Sequence, residues 1–171
     1  SVIAHLSNVP FQPINFKDSP EILRYEDNLI AYGWDKFLSY GSVESDSKYL
    51  ARLPMTRAVI RSLDLIEEIT KFNFIPVNEF FISGASKRGW TTWTSAAIDN
   101  RIIGIAPVVI DLLNLVPSFN HHFRSYGSFS EAVDDYVNFN IMDWMGSSEF
   151  DRLLDIVEPY EFKELFKMPK L

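Results

Sequence analysis

The sequence predicts an α/β protein with a parallel sheet flanked by helices, and two observations carry that prediction. The first is the order of segments, in which short apolar runs alternate with stretches of helical periodicity. The second is that Phe80–Ser83 and Ile102–Ile110 are apolar without alternation, as is typical of central parallel strands covered on both faces. The 171 residues are enough for one domain with a sizeable core.

The first 72 residues are expected to hold one strand and three helical segments. Ser1–Leu6 is apolar and indicates a strand, whereas Ser19-Pro20-Glu21 has the cap and first-turn proline typical of a helix start. Asp27–Leu38 carries apolar residues at helical spacing, and a longer helix is expected from Pro54 to about Thr70. These helices would precede the first of the two apolar strands.

The second apolar strand is expected to follow a helix at Trp90–Ile98. Beyond it no strand-like run occurs before Pro169, and helical periodicity returns in between. The domain assignment that follows is a core over 1–111, a helical lid or insertion over 112–167, and the start of the next core strand at 168–171.

Composition excludes several classes of protein. The formal net charge of -7 leaves no basic face for nucleic acid, and no apolar run approaches the roughly 20 residues of a membrane span. The absence of cysteine excludes disulfides and cysteine-based zinc sites. The three histidines, His5, His121 and His122, lack the spacing of metal ligands. We therefore expect no metal and no cofactor.

Both ends of the chain resemble interior sequence. The chain begins without Met on an apolar segment and closes on Met168-Pro169-Lys170-Leu171, which is typical of the entry to a strand. We expect the chain to be an internal segment of a longer polypeptide, in which any signal peptide would lie upstream.

The turn Gly84-Ala85-Ser86-Lys87-Arg88-Gly89 carries the most chemical information, and three interpretations compete for it. The first is a phosphate-binding loop, because Gly84 and Gly89 have the required spacing after a strand. That motif needs Lys and then Ser or Thr next, where this chain has Trp90 and Thr91. The phosphate loop is therefore disfavoured.

The second interpretation is a nucleophile elbow, in which Ser86 stands on a sharp strand-to-helix turn with its Oγ clear of the sheet. Gly84 fits two positions before the serine, where a side chain would clash. The backbone N–H of Lys87 would donate to an oxyanion at the helix N-terminus. The motif departs from the usual pattern at Arg88, since the expected small residue comes one place later, at Gly89.

The third interpretation is a plain strand-to-helix turn in which Ser86 is the helix N-cap. The residues alone leave the elbow and the plain turn equally open. Either arrangement would place Ser86 at the carboxyl end of the strand.

The sequence contains several uncommon segments: Gly84–Trp93, Ala106–Asn114, Leu29–Tyr32 with Trp34–Phe37, and Leu53–Thr56. They occur in the order found in the PhoPQ-activated pathogenicity-related protein family, which the chain resembles from Asn8 to Leu171. The family looks like an α/β-hydrolase and includes a secreted eukaryotic autocrine proliferation repressor. The resemblance implies a partial α/β-hydrolase fold and a secreted or periplasmic location.

The resemblance also implies a serine hydrolase that cleaves an ester or amide bond in a small-molecule or peptide substrate. Ser86 would attack, the Lys87 N–H would stabilise the oxyanion, and Gly84, Arg88 and Gly89 would support the turn. A base His and a further acid are expected outside this chain. The alternative is a non-catalytic secreted signalling or binding protein on a hydrolase scaffold, with a cell-surface receptor as its partner.

Asp111 and Arg88 each have two open interpretations. Asp111 ends a predicted strand, at the edge where α/β sites are built, and would either orient a catalytic His or cap the next helix. Arg88 would either pair with a buried acid such as Asp111 or join Lys87 in attracting an anionic substrate. We expect the pairing, because a buried guanidinium without partners is unfavourable.

Overall fold

The structure of the protein is a computed structural model that describes residues 2–110 and 113–171. The chain forms two compact units. The first comprises Ser1–Val9, Pro54–Asp111 and Phe162–Leu171, and the second comprises Pro10–Leu53 and Leu112–Glu161.

Four strands and six α-helices make up the regular structure of the described residues. In chain order they are β1 (Ile14–Phe16), β2 (Ser19–Arg24), α1 (Glu26–Ser39), α2 (Arg52–Phe72), β3 (Phe80–Ala85), α3 (Lys87–Ile98), β4 (Ile102–Val108), α4 (Leu115–Tyr126), α5 (Asp134–Asn138) and α6 (Ser148–Val157). Short 3-10 helices occupy Glu44–Tyr49, Glu131–Val133, Ile141–Trp144 and Pro159–Leu165.

The first unit is built on a parallel pair of strands. β3 pairs with β4 in a register that places Ile82 beside Ile105, and α3 makes the crossover between the two strands. Lys170 adds an isolated parallel bridge to Ile105 on the other edge of β4. The core of this unit joins side chains from α2, β3, α3 and β4: Leu63, Phe80, Trp93, Ala96, Ile102 and Ile105.

The second unit is organised around α1. This helix buries Leu29, Ile30, Trp34 and Phe37, and the Trp34 ring meets the Tyr136 ring of α5 edge-on with centroids 5.1 Å apart. Aromatic pairs in this geometry stabilise a core beyond the apolar area that they bury. β1 and β2 form an antiparallel hairpin in the same unit.

The central predictions of the fold are confirmed. The protein is a mixed α/β structure with a small parallel sheet, and β3, α3 and β4 lie where the apolar runs and the helical periodicity predict them. The predicted helices before them correspond to α1 and α2, and residues 115–165 contain only helical elements. The division into a core and a lid stays a prediction.

Two predicted elements are wrong. Ser19–Arg24 is a strand and not a helix start, because it pairs with β1 and because the Asn15 side chain donates to the Pro20 carbonyl at 2.8 Å. Proline is tolerated in β2, because both strands of a two-stranded hairpin are edge strands. Residues 2–6, which belong to the expected strand Ser1–Leu6, have no regular secondary structure, and Ile3 is 96% exposed.

The parallel sheet is more exposed to solvent than the unbroken apolar runs of its two strands predict. β4 ends at Val108 and not at Ile110, and Ile103 and Val108 remain about half exposed. The two paired strands and the bridge at Lys170 are the whole parallel sheet within the described residues. No helix among those residues combines the length and the apolar character needed to cross a bilayer.

Candidate functional site

A single residue, Ser86, separates the end of β3 from the start of α3. Its backbone has φ 53° and ψ −125°. Two hydrogen bonds hold it there: the Ser86 N–H donates to the Val108 carbonyl at 2.8 Å, and the Trp90 N–H donates to the Ser86 carbonyl at 3.0 Å. The turn is therefore fixed to β4 on one side and to α3 on the other.

The Ser86 conformation is strained. A side chain at positive φ outside the usual left-handed helical region costs on the order of 1–3 kcal/mol and persists only where the surroundings enforce it. Such strain clusters at functional sites. The hydrogen bonds from β4 and α3 are the enforcing contacts here.

Gly84 and Gly89 allow β3 and α3 to approach closely at this turn. A Cβ built at Gly84 would lie 2.6 Å from the Arg88 carbonyl oxygen. One built at Gly89 would lie 2.9 Å from the Gly84 carbonyl oxygen and 3.0 Å from that of Val108. No side chain fits at either position without displacing the backbone. The one-place shift of the second glycine is thus compatible with a tight turn, because Gly89 faces the ends of both strands.

The interpretation of Ser86 as a residue whose side chain caps α3 is wrong. Within the described part of the chain, the Ser86 side chain makes no capping hydrogen bond to the α3 backbone. Lys87, as the first residue of α3, places its backbone N–H at the positive end of the helix dipole. The turn thus places the half-buried Ser86 directly before a helix N-terminus.

The two basic side chains that follow Ser86 are not free in solvent. Lys87 is only 7% exposed, Arg88 is half-buried, and neither residue is without a partner. The predicted pairing of Arg88 with Asp111, and the predicted role of Asp111 in orienting a histidine, both depend on a residue outside the described ranges. They stay predictions.

A cavity of about 650 Å³ in the first unit extends to the residues before and after Ser86 and Lys87, but neither of these two residues lines it. Ala85 and Arg88 lie on its wall at that end, and His5 lies on the wall as well. Most of the remaining wall is apolar, with side chains from α2 and β3: Val59, Leu63, Ile66, Phe81 and Ile82. The cavity thus joins an apolar wall to a polar end beside the serine turn.

The other two histidines lie on α4 in the second unit. The His122 ring packs against Tyr126 with centroids 4.8 Å apart, and the exposed His121 accepts a hydrogen bond at its backbone carbonyl from the Ser125 hydroxyl. Across residues 2–110 and 113–171, no three side chains of the metal-binding types converge.

Two charged residues of the second unit, Glu158 and Arg52, are almost completely buried, although the sequence does not indicate it. Glu158 is 1% exposed, and its carboxylate accepts the N–H groups of Leu115 at 3.0 Å and Tyr160 at 3.1 Å. Burial raises the pKa of this carboxyl group above its ordinary value. Burial also lowers the pKa of Arg52, 1% exposed, to about 10. No sequence pattern marks either residue as buried.

Comparison with known proteins gives one family and one curated relative. The sequence profile of the PhoPQ-activated pathogenicity-related proteins matches residues 1–171. Autocrine proliferation repressor protein A of Dictyostelium discoideum is 40% identical over 169 residues, which cover 99% of this chain and 33% of that protein. The chain therefore spans about a third of the length of this relative. No protein of known structure matches it significantly.

Proposed function

Because the chain belongs to the PhoPQ-activated pathogenicity-related protein family, and because it presents a serine on a strained strand-to-helix turn, we propose that the full-length protein is a serine hydrolase. Ser86 is the nucleophile, and the substrate is a small-molecule or peptide ester or amide. The fold that goes with this function is an α/β-hydrolase fold, of which β3, α3 and β4 are a part.

The backbone of Ser86 is the observation that carries the proposal. A plain strand-to-helix turn does not require φ 53° at a residue that has a side chain. A serine that caps a helix accepts a hydrogen bond from the helix backbone, and the Ser86 side chain makes no such bond. A nucleophile elbow requires both a sharp turn and small residues around it. Gly84 and Gly89 supply the space.

In the proposed reaction the Ser86 Oγ attacks the carbonyl carbon of the substrate and gives its proton to a general base. The N–H of Lys87 donates to the oxyanion that forms, at the helix end where negative charge is favoured. Collapse of this intermediate expels the alcohol or amine, which takes the proton from the base, and leaves an acyl group on Ser86. Water then releases the acid and restores the serine.

We place the base, a histidine, and the second oxyanion donor in parts of the protein outside this chain, as the family resemblance implies. Asp111 is our candidate for the acid that orients the histidine. Arg88 and the two glycines support the turn. The proposed location is secreted or periplasmic, in keeping with the family and with the autocrine repressor named among its members.

A fluorophosphonate probe tests the proposal on the full-length protein, because the probe labels only an activated serine. Labelling is expected for the wild type and is lost in Ser86→Ala. The matched control is Ser83→Ala, since the Ser83 hydroxyl on the same strand already donates to the Ala106 carbonyl at 2.7 Å. Ser83→Ala keeps its label.

Two results would overturn the proposal. Label on Ser86→Ala would place the nucleophile elsewhere. No label on a folded wild-type protein would favour the non-catalytic alternative, a signalling protein with a receptor as its partner.

A further inference from the structure

The strand β4 is followed by a second residue with an unfavourable backbone conformation. Val109, directly after the last residue of β4, has φ 46°. Such a φ is rare for a β-branched residue, because the branched side chain is restricted against the backbone. Among the described residues that have a side chain and a positive φ, Val109 alone is β-branched. Its residue type is therefore the least suited to this conformation.

The backbone on both sides of Val109 is held against the start of α3. The Val108 carbonyl accepts the Ser86 N–H at 2.8 Å. A Cβ built at Gly89 would lie 3.0 Å from this carbonyl oxygen and 2.7 Å from Cγ2 of Ile110. The residues before and after Val109 thus both pack on Gly89, and these contacts enforce the strained φ between them.

Val109 lies beside Ser86 at the carboxyl edge of the parallel strands. In the register of β3 and β4, Ala85 is paired with Val108, so Ser86 and Val109 are the next residues of the two segments. Neighbouring strands run about 5 Å apart. Ligands of α/β proteins bind at this edge of the sheet. A molecule that contacts the Ser86 hydroxyl is therefore within reach of the Val109 side chain.

The Val109 side chain gains little from the packing of the first unit. It is 77% exposed, so most of its apolar surface remains in water. An exposed apolar residue is ordinary by itself, but an exposed valine held at positive φ combines two unfavourable features. Strained residues of this kind cluster at active sites and ligand clamps. A bound molecule with an apolar group would remove the Val109 surface from water.

We propose that Val109 determines substrate specificity by contacting an apolar substituent next to the scissile carbonyl group. The inference rests on the proposed hydrolase function of Ser86, and it narrows the substrate class to esters or amides that carry an apolar chain. The chain belongs either to the acyl group or to the alcohol or amine. Both present the same chemistry to valine, since burial of apolar surface drives the contact.

Labelling rates of the full-length protein with paired fluorophosphonate probes test this proposal. In one pair a methyl or an octyl chain is attached to phosphorus and stands for the acyl group. In the other pair the chain is on the alkoxy oxygen and stands for the alcohol. The wild type is expected to react faster with the octyl probe of at least one pair. In Val109→Thr, which keeps the β-branched shape but adds a hydroxyl, that preference should fall about tenfold.

Two further variants separate contact from structure. Ile103→Thr is the matched control, because Ile103 is a half-exposed β-branched residue near the other end of β4. It should keep the octyl preference of the wild type. Val109→Gly removes the side chain and adopts positive φ without strain. It should be at least as stable as the wild type by Tm and should still lose the octyl preference.

The outcomes distinguish this inference from the hydrolase proposal. A labelled wild type without an octyl preference, or a Val109→Thr protein that keeps the preference, would overturn the inference while Ser86 remains the nucleophile. A lowered Tm of Val109→Thr at unchanged preference would show that another part of the polypeptide covers Val109 instead. No label with any probe on a folded wild-type protein would refute the serine hydrolase function, and with it this inference.

Discussion

The two ends of α3 are built in opposite ways. At its N-terminus Ser86 holds a strained backbone, and its side chain does not cap the helix. At its C-terminus the Asp99 N–H continues the helical bonding to Ser95, and the Asp99 carboxylate accepts the N–H of Arg101 at 2.9 Å. One end is strained and the other is fully bonded.

The C-terminal end is further fixed by charge. The Arg101 guanidinium bonds Asp99 at 2.6 Å, Asp64 at 2.9 Å and Glu67 at 2.9 Å, which ties this end of α3 to α2. The Arg101 hydrogen bond lowers the pKa of Asp99 below its ordinary value. The Arg101 network thus stabilises one end of the helix, while the other end keeps an unfavourable backbone conformation of the kind that clusters at functional sites.

Gly84→Ala and Gly89→Ala, at the strained end of α3, are expected to destabilise the protein most. Each added Cβ would lie 3.0 Å or less from a backbone oxygen, so β3 and α3 would have to move apart. We expect a loss of about 3 kcal/mol or more in the free energy of unfolding of the full-length protein, at the upper end of overpacking effects. Chemical denaturation measures it.

Gly127→Ala is the control for this pair of variants. Gly127 has φ 75° and no atom within 4 Å of a built Cβ, so the substitution meets backbone strain but no clash. A loss of about 1 kcal/mol is expected. If Gly84→Ala is no worse than Gly127→Ala, the turn is not tightly packed and the comparison between the two helix ends is wrong.

A smaller effect is expected at the bonded end, in Arg101→Met. Loss of a partly exposed ion network should lower Tm at pH 7 by about 2–4 °C. Because the network holds the pKa of Asp99 below 3.8, its stabilisation is complete above that pH and is lost as the pH falls. The Tm difference between wild type and variant should therefore shrink in acid.

Arg61→Met is the matched control for the network. Arg61 makes a single exposed pair with Asp64 at 2.9 Å, so its removal should leave Tm nearly unchanged. Equal losses in both variants, or a Tm difference for Arg101→Met that does not depend on pH, would show that the network contributes no more than a surface pair.

The sequence predicts the first unit better than the hairpin of the second, for a physical reason. The strands β3 and β4 and the helix between them are marked by local patterns, namely unbroken apolar runs and helical spacing. Ser19–Arg24 is a strand only because β1 lies beside it, and a capping signature cannot reveal a distant partner. Tertiary pairing decided that segment against its local preference.

The candidate site is predictable only in its residue types. The spacing of Gly84 and Gly89 around Ser86 marks a tight turn, but it does not set φ of the serine or exclude an N-cap. Those follow from hydrogen bonds to Val108 and Trp90 that need the folded sheet and helix. The buried charges of Glu158 and Arg52 are likewise consequences of tertiary packing.

The stability and labelling of Ser86→Gly test most directly the claim that the turn is strained for chemistry. Glycine adopts φ 53° without strain, so Ser86→Gly should be about 1 kcal/mol more stable than Ser86→Ala, which keeps a Cβ. It should also be at least as stable as the wild type, and it should not react with the fluorophosphonate probe. A Ser86→Gly protein that is less stable than Ser86→Ala, or that still takes the label, would contradict the account.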